Sequence, residues 1–123
     1  MRGLSLQERI RRELPQLSIE NARQLALVLQ RIIDVLHPER IHVFGSVARG
    51  EATPDSDIDL LIVVSKAEQP TYRLAQAAYH AAAHHSLMLD ILVMPREEFD
   101  RRSKALASLP ATVLREGRML YAA

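Results

Sequence analysis

Asp57-Ile58-Asp59-Leu60-Leu61-Ile62-Val63-Val64 sets two carboxylates, two residues apart, at the head of an apolar run, and a Gly45-Ser46 pair stands ten residues upstream of it. Asp is depleted in strands, so the fold alone has no use for two of them there. Side chains alternate along a strand; Asp57 and Asp59 therefore point to one face, with Cα atoms roughly 6.6 Å apart. Two like charges about 4 Å apart repel by roughly 4 kcal/mol at an effective dielectric near 20, which disfavours the pair unless a cation or a proton intervenes. Oxygen-only ligands of this kind suit Mg²⁺ or Mn²⁺, and Mg²⁺ is commonly held by one or two carboxylates together with substrate phosphates.

Gly45-Ser46 supplies the anion side of such a site. Glycine lets the backbone come close to a ligand, and a short helix starting after it would aim free N–H groups at a phosphate. Ser46 adds a hydroxyl donor, and Arg49 brings a fixed positive charge within reach. An isolated Gly-Ser is most often an ordinary turn with a serine cap; the fixed spacing from Asp57-x-Asp59 is what gives this one weight. No Gly-Lys-Ser or Gly-Lys-Thr follows, so the pair is not a P-loop. A third acid, Asp90, is the one charged residue of Leu87-Met88-Leu89-Asp90-Ile91-Leu92-Val93-Met94. That strand is apolar on both faces, as expected of one that lies centrally or is covered on both sides. An unpaired charge buried there costs several kcal/mol, so Asp90 is expected to be paired with an arginine, protonated or facing a site, and the site is the preferred reading.

Composition narrows the partners. The chain has 123 residues, 48% of them hydrophobic, which suits one globular domain. Sixteen basic and fifteen acidic residues leave a net charge of +1, far from the excess needed to grip duplex phosphates, so no stable duplex nucleic acid partner is expected. With no cysteine, disulfides and thiolate zinc sites are excluded. The first residues form no apolar signal core and no apolar stretch approaches ~18 residues, so the expectation is a soluble cytoplasmic protein with no membrane partner.

Periodicity sets the element order. Ser5 with Glu8 is a capping-box pattern for a short helix over about Leu6 to Leu14, stopping near Pro15. Ser18 caps a longer helix whose apolar stripe runs through Ile19, Ala22, Leu25, Ala26, Leu29, Ile32, Ile33 and Leu36, ended by His37-Pro38. Strands follow at Arg40 to Phe44 and about Asp57 to Val64, separated by polar turn chemistry. A helix from Pro70 to His85, the strand Leu87 to Met94, a helix to about Ala105 and another from Leu109 to Glu116 complete the chain, with Gly117 expected as the residue just past the last helix. The order predicts an α/β (α+β) sandwich with a short mixed sheet. Residues 1–38 read as a helical extension packed on a core domain of residues 39–123.

The segment FGSVARGEATPDSDIDLLIVV resembles the Gly-Ser, ten-residue, Asp-x-Asp signature of the polymerase-beta-like nucleotidyltransferases, and LMLDILVM is similar to the strand that carries their third carboxylate. The short length and the closing REGRMLY resemble the minimal nucleotidyltransferase branch, the antitoxins of HEPN–MNT toxin–antitoxin pairs. The resemblance covers about Arg40 to Tyr121. It implies the nucleotidyltransferase fold, with Gly45 and Ser46 holding the triphosphate of ATP, and Asp57, Asp59 and Asp90 binding two Mg²⁺ ions, with Mn²⁺ as a substitute. Asp90 would also help deprotonate the acceptor hydroxyl, in that branch a tyrosine of the cognate HEPN toxin. Two other readings stay open: an adenylyltransferase acting on a small hydroxylated compound such as an aminoglycoside, and a non-catalytic antitoxin that works by occlusion.

Weaker candidates remain. His80, His84 and His85 could form a histidine metal site, although a solvated helix face is the commoner reading. His42 is expected either to look toward the site or to sit against the sheet. Leu27 and Val28 widen the stripe of the long helix, which suggests a surface for a partner or for a second copy of the chain.

Overall fold

Both N-terminal helices begin as their capping residues dictate. The computed structural model describes residues 3–53 and 55–123. Helix α1 (Leu6–Glu13) opens on a reciprocal cap: Ser5 Oγ accepts the Glu8 N–H at 3.1 Å and Glu8 Oε1 accepts the Ser5 N–H at 3.0 Å. Helix α2 (Ile19–Leu36) starts on Ser18, whose Oγ accepts the Asn21 N–H, and ends at His37 in the left-handed region, φ 49°. Pro38 then forbids its continuation.

Four strands and four further helices follow: β1 (Arg40–Phe44), α3 (Gly45–Ala48), β2 (Ile58–Val64), α4 (Thr71–Ala81), β3 (Leu89–Pro95), α5 (Arg96–Arg102), α6 (Leu109–Glu116) and β4 (Arg118–Ala122). The strands lie in the order β3-β2-β1-β4, with β1 antiparallel to both β2 and β4 and with β2 parallel to β3. The sheet is mixed and flanked by helices, as the sequence predicts. Alternation along β2 sorts its side chains between two layers. Ile58, Leu60, Ile62 and Val64 face the larger layer, where Ile10 and Leu14 join Leu25, Leu29 and Ile32 of α2. Leu61 and Val63 face the smaller one, with Met94, Phe99 and Val113. Helices α1 and α2 thus close over the same core as the sheet.

Several expectations are corrected. The Leu87 to Met94 segment is neither central nor covered on both sides; β3 is an edge strand, and Leu92 is 42% exposed. Helix α4 ends at Ala81 rather than His85, because His84 takes φ 71° and the His85 Nδ1 accepts the Leu87 N–H at 3.0 Å. Strand β4 was not expected as a strand. Gly117 follows α6 in extended rather than left-handed backbone, φ −83°. It is needed there for space: a Cβ would meet Val113 O at 2.6 Å and Val43 O at 2.8 Å. On α2, Val28 belongs to the core, whereas Ile19, assigned to the stripe, is 66% exposed. Among the described residues no helix is long and apolar enough to cross a membrane.

Candidate active site

Asp59 continues the row of Leu61 and Val63 along one face of β2. Asp59 is the register partner of Phe44 on β1 and of Asp90 on β3. Partners on adjacent strands stand about 4.8 Å apart and share a face, so Asp59 and Asp90 are side by side, with Asp57 just before the start of β2. Asp59 is half-buried, and Asp57 and Asp90 are exposed. Burial raises the Asp59 carboxyl above the ordinary range, the Asp90 and Asp57 charges raise it further, and the Arg49 guanidinium opposes them. Contrary to the expectation from the sequence, Asp90 is not a charge forced into a buried strand, because an edge strand leaves it in water. Parallel register with β2 brings it to the site.

Gly45 fits against these acids. It adopts φ 76°, which residues with a Cβ rarely do, and a Cβ placed there would collide with the Asp59 carboxylate. The cradle and the carboxylate strand are therefore in direct contact. Phe44 precedes α3 without offering a side-chain cap, and among the described residues no side chain caps the first turn at Gly45 and Ser46. These N–H groups and the Ser46 hydroxyl are donors suited to phosphate oxygens. Arg49, one turn further, is ion-paired with Glu51 and lies 3.9 Å from Glu116, and it feels the Asp59 charge. Contact with a phosphate would exchange the Glu51 partner for a stronger one.

The donor set suits a divalent cation. It consists of oxygens only, and its charges repel one another across a shared face, which a cation relieves. Among the described residues, no three acids or histidines close into a ready-made cage.

The other sequence candidates do not join the site. His42 shares the face of Asp59 but lies two positions further along β1, 2% exposed and stacked on Phe99 with ring centroids 5.6 Å apart. Burial, aided by the Arg40 charge, lowers its pKa to about 4, so it is neutral near pH 7 and fills the core. The histidine metal site is corrected as well: His85 Nδ1 is occupied by the Leu87 N–H, and no metal-binding group of three exists among the described residues. Sequence reasoning missed two features. A cavity of about 600 Å³ is lined by Glu13, Gln16, Arg49, Ser56, Ile58 and Met88 among others; of the candidate site residues it takes in Arg49, and none of Gly45, Ser46, Asp57, Asp59 and Asp90. The second is Tyr79, whose hydroxyl accepts the Ile91 N–H at 2.7 Å beside Asp90. Neither carries a sequence signal, since both depend on how distant segments pack.

Known proteins are similar to this chain in sequence and fold. A Methanocaldococcus jannaschii protein, provisionally named a protein adenylyltransferase, is 42% identical over 57 residues, which is 46% of this chain and 56% of that relative. The chain thus spans little more than half of that relative's length. A crystal structure of a provisionally named nucleotidyltransferase from Sulfolobus solfataricus shares the fold, with a TM-score of 0.52 and 23% identity over 81% of this chain and 82% of that one. Residues 22–116 match the family described as nucleotidyltransferase domain, and over most of its length, with its acids and glycine placed as above, the chain belongs to that family.

Proposed function

We propose that the chain transfers AMP from ATP to a hydroxyl of a partner protein, the partner being a HEPN-type toxin and the hydroxyl that of a tyrosine, so that the chain acts as its antitoxin. The observation that carries the transfer chemistry is the register of Asp59 with Asp90, beside Asp57 and against Gly45. The protein acceptor draws support from the name of the Methanocaldococcus jannaschii relative and from the resemblance to the minimal nucleotidyltransferase branch.

Residue roles follow from position. The Gly45 and Ser46 amides and the Ser46 hydroxyl donate to the β- and γ-phosphate oxygens, and Arg49 adds charge on the same side. Asp57 and Asp59 would hold two Mg²⁺ ions, with Asp90 completing one of the two metal sites. When bound, Mg²⁺ would neutralise the carboxylates and the charge developing on the entering and leaving oxygens. Asp90, open to solvent on its edge strand, faces the arriving acceptor and takes its proton. The acceptor oxygen forms a bond to the α-phosphorus as the bond to the bridging oxygen breaks. Pyrophosphate leaves, and the proton passes from Asp90 to water.

The test incubates the purified chain with α-labelled ATP, Mg²⁺ and the small helical protein encoded beside it, where that neighbour carries an Arg-x4–6-His motif. Label should move to the neighbour and be lost with Asp57→Ala or Asp59→Ala. Transfer that survives in the double variant overturns the assignment. Label appearing on an aminoglycoside and never on protein would favour the small-molecule reading.

A further inference from the structure

Asp90 owes its place to an edge strand, and edge strands are held on one side only. In a parallel pair each residue points its N–H and C=O to the same side, and successive residues alternate. The Ile91 N–H points away from β2, toward the side where β3 has no strand neighbour. Tyr79 on α4 meets it there, its hydroxyl accepting that proton at 2.7 Å. The ring of Tyr79 is 43% exposed, so core filling does not account for a tyrosine at this position. Tyr72, two turns earlier on the same helix, is 59% exposed and makes no such bond among the described residues.

We propose that Tyr79 is a positioning residue for Asp90: by accepting the Ile91 amide proton on the open edge of β3, its hydroxyl keeps Asp90 in register beside Asp59. The proposal rests on the assignment of Asp90 to the transfer site. A hydrogen bond at the residue next to a ligand limits how far the strand can fray. At the open edge that fraying is otherwise limited by the β2 ladder and by the burial of Ile91 and Val93 in the core. The bond does not touch substrate. Its effect is on how often Asp90 stands within reach of a cation shared with Asp59.

Tyr79→Phe in the full chain keeps the ring and removes only the acceptor. Amide exchange followed by NMR should show the Ile91 N–H exchanging roughly tenfold faster, with Leu60 and Ile62 of β2 unchanged. Titration with Mn²⁺ alone, followed by electron paramagnetic resonance, should show affinity weakened about threefold to tenfold, and kcat should fall with the KM for ATP nearly constant. Tyr72→Phe should change none of these. An Ile91 amide that exchanges as in the parent overturns the proposal, as does unchanged Mn²⁺ affinity. Asp90→Asn separates the two claims: if it leaves Mn²⁺ affinity and transfer intact, the site assignment fails, whereas the Ile91 exchange rate reports on the tyrosine bond alone.

Discussion

Asp59 is where the cost of the site is concentrated. Its folded pKa is raised above the unfolded value, first by burial and then by Asp90 and Asp57. A carboxyl raised in this way favours folding fully below the unfolded pKa of about 3.9, and that contribution is lost as pH rises through the folded value. In the absence of divalent ions, Asp59→Asn should therefore raise the melting temperature at pH 7, with the gain vanishing below about pH 3.9. Calorimetry across that range checks both the sign and the window. Mg²⁺ should stabilise the parent and not this variant. Gly45→Ala should destabilise by at least about 1–2 kcal/mol in urea unfolding, from its φ of 76° alone, and should abolish transfer because the added carbon strikes the Asp59 carboxylate. These residues could be read in the sequence because each breaks a local rule: acids where a strand disfavours them, and a glycine at a fixed distance before them. Asp90 was reached by a wrong premise, burial, since one strand's composition does not say whether it will lie at the centre or the edge of a sheet.

Among the elements, α5 matters beyond its seven residues, because Phe99 covers His42 on one side and carries the Arg40 guanidinium 4.8 Å over its ring. Phe99→Ala should cost about 3–5 kcal/mol, and the His42 pKa should climb from about 4 toward 6.5 as water reaches it, which ¹H–¹⁵N NMR titration would record. In the parent, His42 is neutral when folded and takes up a proton more readily when unfolded. Stability should therefore fall as pH drops from about 6.5 to about 4, by up to roughly 3 kcal/mol. Helix starts were legible, since Ser5 and Ser18 cap as their side chains predict. The end of α4 was not, because neither Gly nor Pro marks it and a histidine side chain accepting an amide proton does the work of a breaker. Strand β4 was missed because five residues with one buried side chain, Leu120, leave too short a pattern to recognise.

At the scale of the whole molecule, the larger core joins α1, α2 and the sheet without a seam: Ile10, Leu14, Leu25, Leu29 and Ile32 pack in one cluster with Ile41, Val43, Leu60 and Ile62. The family match begins at residue 22, inside α2. A fragment of residues 39–123 would expose that face of the sheet, and it should fail to fold, giving no cooperative urea transition and poor amide dispersion. The mixed sheet and its flanking helices followed from the order of periodicities in the sequence. Strand order did not, because the position of β1 between β2 and β4 is set by pairing across long separations.

Position 117 has a consequence for reading mutational data. Its backbone suits any residue, yet carbonyl oxygens of Val113 and Val43 leave no room for even a methyl group. In a saturation library, substitutions at 117 should vanish under a screen for folded abundance alone. Those at Ser46 should survive that screen and disappear only when selection demands turnover. Intolerance to substitution is thus a record of crowding at Gly117 and of reactivity at Ser46, and comparing the two screens tells them apart.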